Sequence, residues 1–220
     1  MPAEGALRHR LGPGDRLIET LGYKPGEGAV RAHLHRSRMA NSAARFGIPF
    51  DLESFDAALA GLAVGDHPLR LRLTIDPEGG IEVAASPFVP LPEGTVWRLA
   101  VARTRLASTD PLLPHKTSLR ASYDIARAEF PANAAEEVIL LNERGEVCEG
   151  TLTNVFADMG DGVLATPPLH CGLLAGVLRA HLLATGRSVE RVLTLAHLER
   201  AHTLYVGNSL RGLIRAELVS

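Results

Sequence analysis

Two lysines, Lys24 and Lys116, stand among the 23 basic residues of this chain; arginine carries the rest of the positive charge. Lys24 lies in the turn-like GYKPG, and Lys116 lies in PHKTSLR near the middle of the sequence. A lysine acts as a nucleophile where its surroundings desolvate or electrostatically depress its ammonium. A lone central lysine in an arginine-biased chain is therefore a candidate for amine chemistry, against the ordinary alternative of a solvated surface group. Three further segments carry groups that such an amine could use. Glu149, in RGEVCEGTLTNVF, follows a turn and precedes a stretch whose Thr151, Thr153 and Asn154 are unusually polar for a core strand. A carboxylate held there can pair with a protonated ring nitrogen and keep it cationic; the plainer reading is a surface glutamate at a turn. In TPPLHCGLLAGVLRAHL, 166–182, glycines precede an amphipathic helix, so the amides of 176–178 can point at an anion. VGNSLRG, 206–212, ends a strand in Gly-Asn-Ser, small polar groups that serve either as phosphate ligands or as turn formers.

The elements that must position these groups read as alternating strands and helices. Residues 17–23 form a short apolar strand, and 32–46 a helix. Asp51 caps a second helix with Leu52, Phe55, Leu59 and Leu62 on one face. Leu69, Leu71, Leu73 and Ile75 alternate with polar residues, DPEGG turns, and Ile81, Val83 and Ala85 return as a hairpin partner. A strand over 96–106 closes the first part. The second part begins at Lys116. It contains a helix over 118–129, strands over 138–141 and 151–157, a short strand at 163–164 and a helix over 174–185 ending at Gly186. A strand over 192–195, a short helix over 196–201 and a strand over 204–206 follow. This pattern predicts a small N-terminal α/β domain over 1–107, a linker over 108–115 (STDPLLPH) and a second domain over 116–220.

Composition narrows the function classes. A net charge of −2 leaves no basic footprint for nucleic acid, and 5% aromatics provide no stacking platform for single strands. No apolar run reaches the ~18 residues of a membrane span, and the N-terminus has no apolar signal core. Two cysteines cannot build a disulfide framework and suit a reducing compartment, so a cytoplasmic protein is expected.

HKTSLRASYD, LLNERGEVCEGTLTNVF, LATPPLHCGLLAGVLRAHLL, ERVLTL and VGNSLRG occur in that order, with Lys116 and Glu149 separated by 149 − 116 = 33 positions. This arrangement resembles the class IV, fold type IV, pyridoxal-phosphate enzymes: branched-chain and D-amino-acid aminotransferases and 4-amino-4-deoxychorismate lyase. LIETLGYKPGEG and HLHRSRMANSAARFGIPFD extend the resemblance more loosely, to about residues 16–215. The resemblance implies a two-domain α+β (α/β) fold, a small N-terminal α/β sandwich plus a C-terminal pseudo-barrel, with pyridoxal 5'-phosphate as cofactor and no metal.

It also implies roles. Lys116 matches the lysine that bonds the cofactor, Glu149 the partner of the pyridine nitrogen, and Arg38 the phosphate-binding arginine of the first domain. Val177 and Leu178 match the helix-start amides on the phosphate, and Ser209 the hydroxyl ligand. Asn208 and Arg120 stand where the lyases carry these residue types, whereas branched-chain transaminases favour Asn-Tyr shortly after the lysine. Arg120 and Thr20 are substrate-binding candidates. Tyr123 supplies either a phenol near the ring or a core tyrosine with a satisfied hydroxyl. The resemblance thus implies a homodimer acting on a small amino substrate. The expected reaction converts 4-amino-4-deoxychorismate to 4-aminobenzoate and pyruvate, a step of folate biosynthesis. The alternatives are transamination of branched-chain or D-amino acids and a non-catalytic cofactor-binding module.

Overall fold

The computed structural model describes residues 7–8, 10–62 and 65–219. They form two compact units: the described residues up to Pro90 with His115–Leu119, and Leu91–Pro114 with the described residues from Arg120 onward.

The first unit contains β1 (Leu17–Lys24), β2 (Gly28–Ala29), α1 (Ala32–Phe46), α2 (Leu52–Leu62), β3 (Leu69–Ile75) and β4 (Ile81–Pro87). Its antiparallel sheet has the order β2-β1-β3-β4. Alternation in β3 turns Leu71, Leu73 and Ile75 into the core and leaves Arg70 and Arg72 exposed. The buried positions of α1, His35, Met39, Ser42, Ala43 and Phe46, share one face by helical spacing, and two of them are polar. Gly47, at φ +66, ends the helix in the left-handed conformation that a side chain would resist. Asp51 caps α2 as expected, accepting the Ser54 amide at 2.7 Å. Phe55 and Leu59 are buried, but Leu52, in the first turn, is exposed. Full burial of each such phenylalanine or leucine contributes roughly 1.5–3 kcal/mol.

His115–Leu119 joins this unit as a strap along β1. Ile18 donates to Lys116 O at 2.8 Å, Ser118 to Arg16 O at 2.9 Å, and Leu17 bridges Thr117. Leu17 also pairs with Ile75 of β3, so the strap occupies the opposite edge of β1.

The second unit contains β5 (Val96–Leu106), α3 (Ala121–Ala128), β6 (Glu137–Asn142), β7 (Val147–Gly150), β8 (Asn154–Asp158), β9 (Leu164–Thr166), α4 (Val177–Ala184), β10 (Ser188–Glu190), α5 (Leu195–Arg200), β11 (Thr203–Asn208) and β12 (Gly212–Leu218). Its eight-stranded sheet, the expected curled half-barrel, runs β10-β9-β8-β11-β12-β5-β6-β7. The parallel pairs are β10–β9, β12–β5 and β5–β6. Buried clusters on β5 and β6 alternate along each strand: Leu99, Ile139 and Leu141 in one, Ala100, Val138 and Leu140 in another.

The partition differs from the expected division at 107/108. The strand at 96–106 pairs with β6 and β12, so it belongs to the second unit, and the start of the expected second domain, Lys116, belongs to the first. The helix expected from 118 begins at Ala121, because 116–118 is held extended by β1. The strand expected over 151–157 starts only at Asn154, as β8, because 151–153 form a loop, and β7, before that loop, was not expected. No strand covers 192–195; Leu193 is buried from the loop that precedes α5, and Thr194 forms a capping box with His197. The helix expected from 174 starts at Val177, after an irregular turn whose Gly172 has φ +88.

Candidate active site

In the first unit, alternation puts Glu19 on the face of β1 that it shares with buried Leu17 and Leu21, where α1 presents His35 and Arg38 one turn apart. Glu19 is 1% exposed. Its Oε2 lies 2.5 Å from His35 Nδ1, and Arg38 grips both oxygens, Nε to Oε1 at 2.8 Å and Nη2 to Oε2 at 2.6 Å. Burial alone would raise the Glu19 pKa; the Arg38 charge and the hydrogen bonds from His35 and Arg38 outweigh it and hold the carboxyl below its ordinary value. This two-pronged geometry fixes the guanidinium plane of Arg38. Thr20 lies on the opposite face of β1, half-buried and paired with Arg72. One turn beyond Arg38 on α1, buried Ser42 Oγ lies 2.9 Å from His115 Nδ1, and the His115 ring packs edge-on to Phe46. The next residue is Lys116.

Both α1-associated histidines are held below the ordinary value of 6.5, His35 by burial against the pull of Glu19, and His115 by burial and then the Arg45 charge, to about 4. A histidine with a lowered folded pKa binds protons less readily than its unfolded counterpart. Its contribution to stability is complete above about pH 6.5 and is lost as pH falls toward its folded value. Unfolding free energy measured from neutral pH down to 4.5, the ordinary glutamate value, is expected to decline. His115→Asn is expected to flatten part of that decline. A profile identical in wild type and variant would contradict the assignment.

In the second unit, Glu149 lies on β7 and is 3% exposed. Its Oε1 accepts the Tyr123 hydroxyl at 2.7 Å and the Leu174 amide at 2.9 Å; its Oε2 accepts from Asn154 Nδ2 at 3.4 Å. Burial and then the Glu149 charge push the Tyr123 phenol up, so it remains a donor. Tyr123 is thus a packed residue with a satisfied hydroxyl, one of the two alternatives expected of it. Asn154 also donates to Leu174 O at 3.2 Å, tying Glu149 to the turn that opens α4. That helix begins at Gly176 with no side-chain cap, and the amides of Val177 and Leu178 have no acceptor within the helix itself.

Two glycines let the chains close around this helix start. A Cβ on Gly176 would stand 1.8 Å from Asn154 Oδ1, and one on Gly207 would stand 2.8 Å from Leu178 Cδ2 and 2.6 Å from Gly212 O. The end of β11, with Asn208 and the buried Ser209, therefore sits against the start of α4. Gly176→Ala is expected to cost about 1–3 kcal/mol of stability, read from chemical denaturation, because Asn154 must leave Glu149 or Leu174 to make room. An unchanged unfolding midpoint would show that the turn relaxes freely.

The loop at 151–153 has its own support. Glu137, fully buried at the start of β6, accepts the amides of Thr151 and Leu152 at 3.0 Å and the hydroxyls of Thr151 and Thr153 at 2.6 and 2.7 Å. Arg120 Nη2 donates to Thr151 O while its guanidinium lies 4.8 Å over the Tyr123 ring. Asn208 Nδ2 donates to Leu152 O at 3.2 Å, and its Oδ1 accepts the amides of Leu210 and Arg211. Arg120 and Asn208 thus hold consecutive carbonyls of one loop. The other arginines considered for substrate carboxylates lie elsewhere: Arg98 pairs with Glu136 and Arg103 with Glu129, and Arg105 Nη1 donates to backbone carbonyls at 102–104.

Among the sequence-derived candidates, the structure brings Glu149, Val177, Leu178, Asn208, Ser209 and Arg120 together in the second unit. It places Lys116, Arg38 and Thr20 in the first. Sequence reasoning gave no role to Glu137, His35 or the Ser42–His115 pair. The signals available were a glutamate opening an apolar strand and two polar residues at core spacing on α1.

The profile of the amino-transferase class IV family matches residues 16–219, and the chain belongs to that family. The family's enzymes are pyridoxal-phosphate-dependent aminotransferases or aminodeoxychorismate lyases of fold type IV, and this chain is an enzyme of that kind. It is 31% identical over 196 residues to the probable branched-chain-amino-acid aminotransferase of Thermotoga maritima, covering 83% of this chain and 70% of that protein. A Mesorhizobium loti structure provisionally named an amino-acid aminotransferase has 49% identity and a TM-score of 0.89, covering 93% of this chain and all of that one. The 4-amino-4-deoxychorismate lyase of Pseudomonas aeruginosa superposes with a TM-score of 0.78 at 27% identity, covering 99% of this chain and 86% of that one. The donor set suits the cofactor: a buried carboxylate held by fixed donors for a protonated ring nitrogen, and a helix start closed down by glycines for a phosphate. Among the described residues, no helix is long and apolar enough to cross a membrane.

Proposed function

We propose that this enzyme converts 4-amino-4-deoxychorismate to 4-aminobenzoate and pyruvate. The observation that carries this reading is the convergence of Arg120 and Asn208, the two lyase-type residues, on the adjacent carbonyls of Thr151 and Leu152. They act as one unit and shape the loop that follows β7 and Glu149; at 120–121, shortly after the lysine, the branched-chain pattern would place Asn-Tyr instead of Arg-Ala.

Pyridoxal phosphate supplies an electron sink for the bond broken at the amine-bearing carbon. Lys116 Nζ would hold the cofactor and, as a free amine, would take the proton from that carbon. Glu149, held by Tyr123 and Leu174, keeps the ring nitrogen protonated. In the first unit Arg38, oriented by Glu19, would bind a phosphate; in the second, the Val177 and Leu178 amides and the Ser209 hydroxyl would be the phosphate donors. Loss of the enolpyruvyl group then aromatises the substrate ring. Thr20 and Arg120 remain the substrate-side residues of this reading, Arg120 through the loop that it holds. The working form is a homodimer, as is typical of the family. Free, buried Cys148 and Cys171 fit a reducing cytoplasm.

A second reading, transamination of a branched-chain or D-amino acid, is favoured by the names of the Mesorhizobium loti and Thermotoga maritima proteins. One experiment separates the two. With 4-amino-4-deoxychorismate and no keto acid, the lyase releases equal amounts of pyruvate and 4-aminobenzoate over many turnovers. Rapid conversion of the cofactor to its amine form by an ordinary amino acid, with no pyruvate from the chorismate derivative, would establish the transaminase instead.

A further inference from the structure

The strap that carries Lys116 is tied to the protein on two sides. Its backbone is fixed to β1 by the Ile18–Lys116 and Ser118–Arg16 hydrogen bonds. Its side chains are fixed by His115, which reaches Ser42 of α1 at 2.9 Å and packs against Phe46, and by Thr117, which is buried. His115 lies at the bend that precedes the pairing with β1 and Thr117 lies within it, so both chain neighbours of Lys116 are held by the first unit. Ser42 lies one helical turn beyond Arg38 on the same face of α1, and Glu19 holds Arg38 from both prongs. Lys116 is thus linked to Arg38 by two routes, one through β1 and Glu19 and one through the His115–Ser42 hydrogen bond and one turn of α1. Ser42 would be an odd buried residue without this partner, since α1 otherwise packs through Met39, Ala43 and Phe46.

We propose that the Ser42–His115 hydrogen bond is a positioning device for Lys116: it sets where the lysine amine stands relative to Arg38, and so the spacing between the covalent and phosphate anchor points of the cofactor. The inference rests on the reading of Lys116 and Arg38 given above. His115 and Ser42 are positioning residues; neither is required to touch cofactor or substrate. The low proton affinity of His115 keeps the ring neutral, so the tie adds no cation beside the lysine.

The test reconstitutes the full-length apoprotein with pyridoxal phosphate and follows the rate at which borohydride fixes the cofactor on Lys116, mapped by peptide mass. His115→Ala is expected to slow this rate roughly tenfold or more, because small misplacements of a reacting group are costly. His115→Asn, whose amide can reach Ser42 in place of Nδ1, is expected to restore most of it. Affinity for pyridoxine phosphate, which lacks the aldehyde and reports the phosphate anchor alone, should stay within about threefold, since Arg38 keeps Glu19. Ser42→Ala, which removes only a hydroxyl, should slow fixation in the same direction and decides the matter if His115→Ala fails to fold. Wild-type rates in both alanine variants, or failure of His115→Asn to recover, would overturn the proposal. A wild-type protein that fixes no cofactor at Lys116 would instead overturn the reading beneath it.

Discussion

Lys116→Ala is expected to lower kcat by roughly 10³-fold or more, since on the proposed reading the substitution removes both the covalent anchor and the general base. The variant should remain folded. The strap is held by the backbone of Lys116 and by the side chains on either side of it, and none of these depends on the lysine amine. Bound cofactor should then exchange freely on gel filtration. Lys24→Ala is the control: Lys24 is exposed and paired with Glu27 three residues away, and its loss should leave turnover unchanged. Equal damage from both substitutions, or none from Lys116→Ala, would remove the lysine from the reaction.

Glu149→Gln should lower kcat by roughly 10²–10³-fold while cofactor remains bound, on the scale seen when one charge-stabilising group is removed from an active site. The geometry predicts that the fold survives. Tyr123 and Leu174 both donate to the same oxygen, Oε1, and a glutamine can keep its oxygen there. What the variant loses is the negative charge that keeps a ring nitrogen protonated. One new conflict is between the glutamine amide and Asn154 Nδ2, now a 3.4 Å contact between two donors. A spectral titration of the bound cofactor should show its ring proton lost at lower pH than in wild type. A kcat within threefold of wild type would make Glu149 a structural carboxylate like Glu137.

Much of the site was legible because its residues are out of place by type. A central lysine among arginines, polar residues around Glu149 and glycines before a helix each contradict the simplest packing expectation; the polar residues and the glycines have partners or close approaches in the fold. The α1 limits, 32–46, and the β5 limits, 96–106, followed from periodicity alone. The unit boundary did not, because β5 reads like any apolar strand and only its partners, β6 and β12, decide which sheet it joins. The break between β7 and β8 was hidden for a related reason. Thr151 and Thr153 alternate as strand residues should, and nothing local announces that a carboxylate 14 residues earlier in the chain will take up both hydroxyls. β12 was missed outright, its LIRAEL pattern lying past the last motif that drew attention. Likewise, Arg120 and Asn208 looked like ligand contacts, and only the fold shows that both hold backbone carbonyls.

The central claim is that Lys116 carries the cofactor. Borohydride reduction of the wild-type holoenzyme, followed by proteolysis and peptide mass mapping, tests it most directly. The account predicts one phosphopyridoxyl group on the peptide containing Lys116 and none on the peptide containing Lys24; label on Lys24, or on neither lysine, would contradict it.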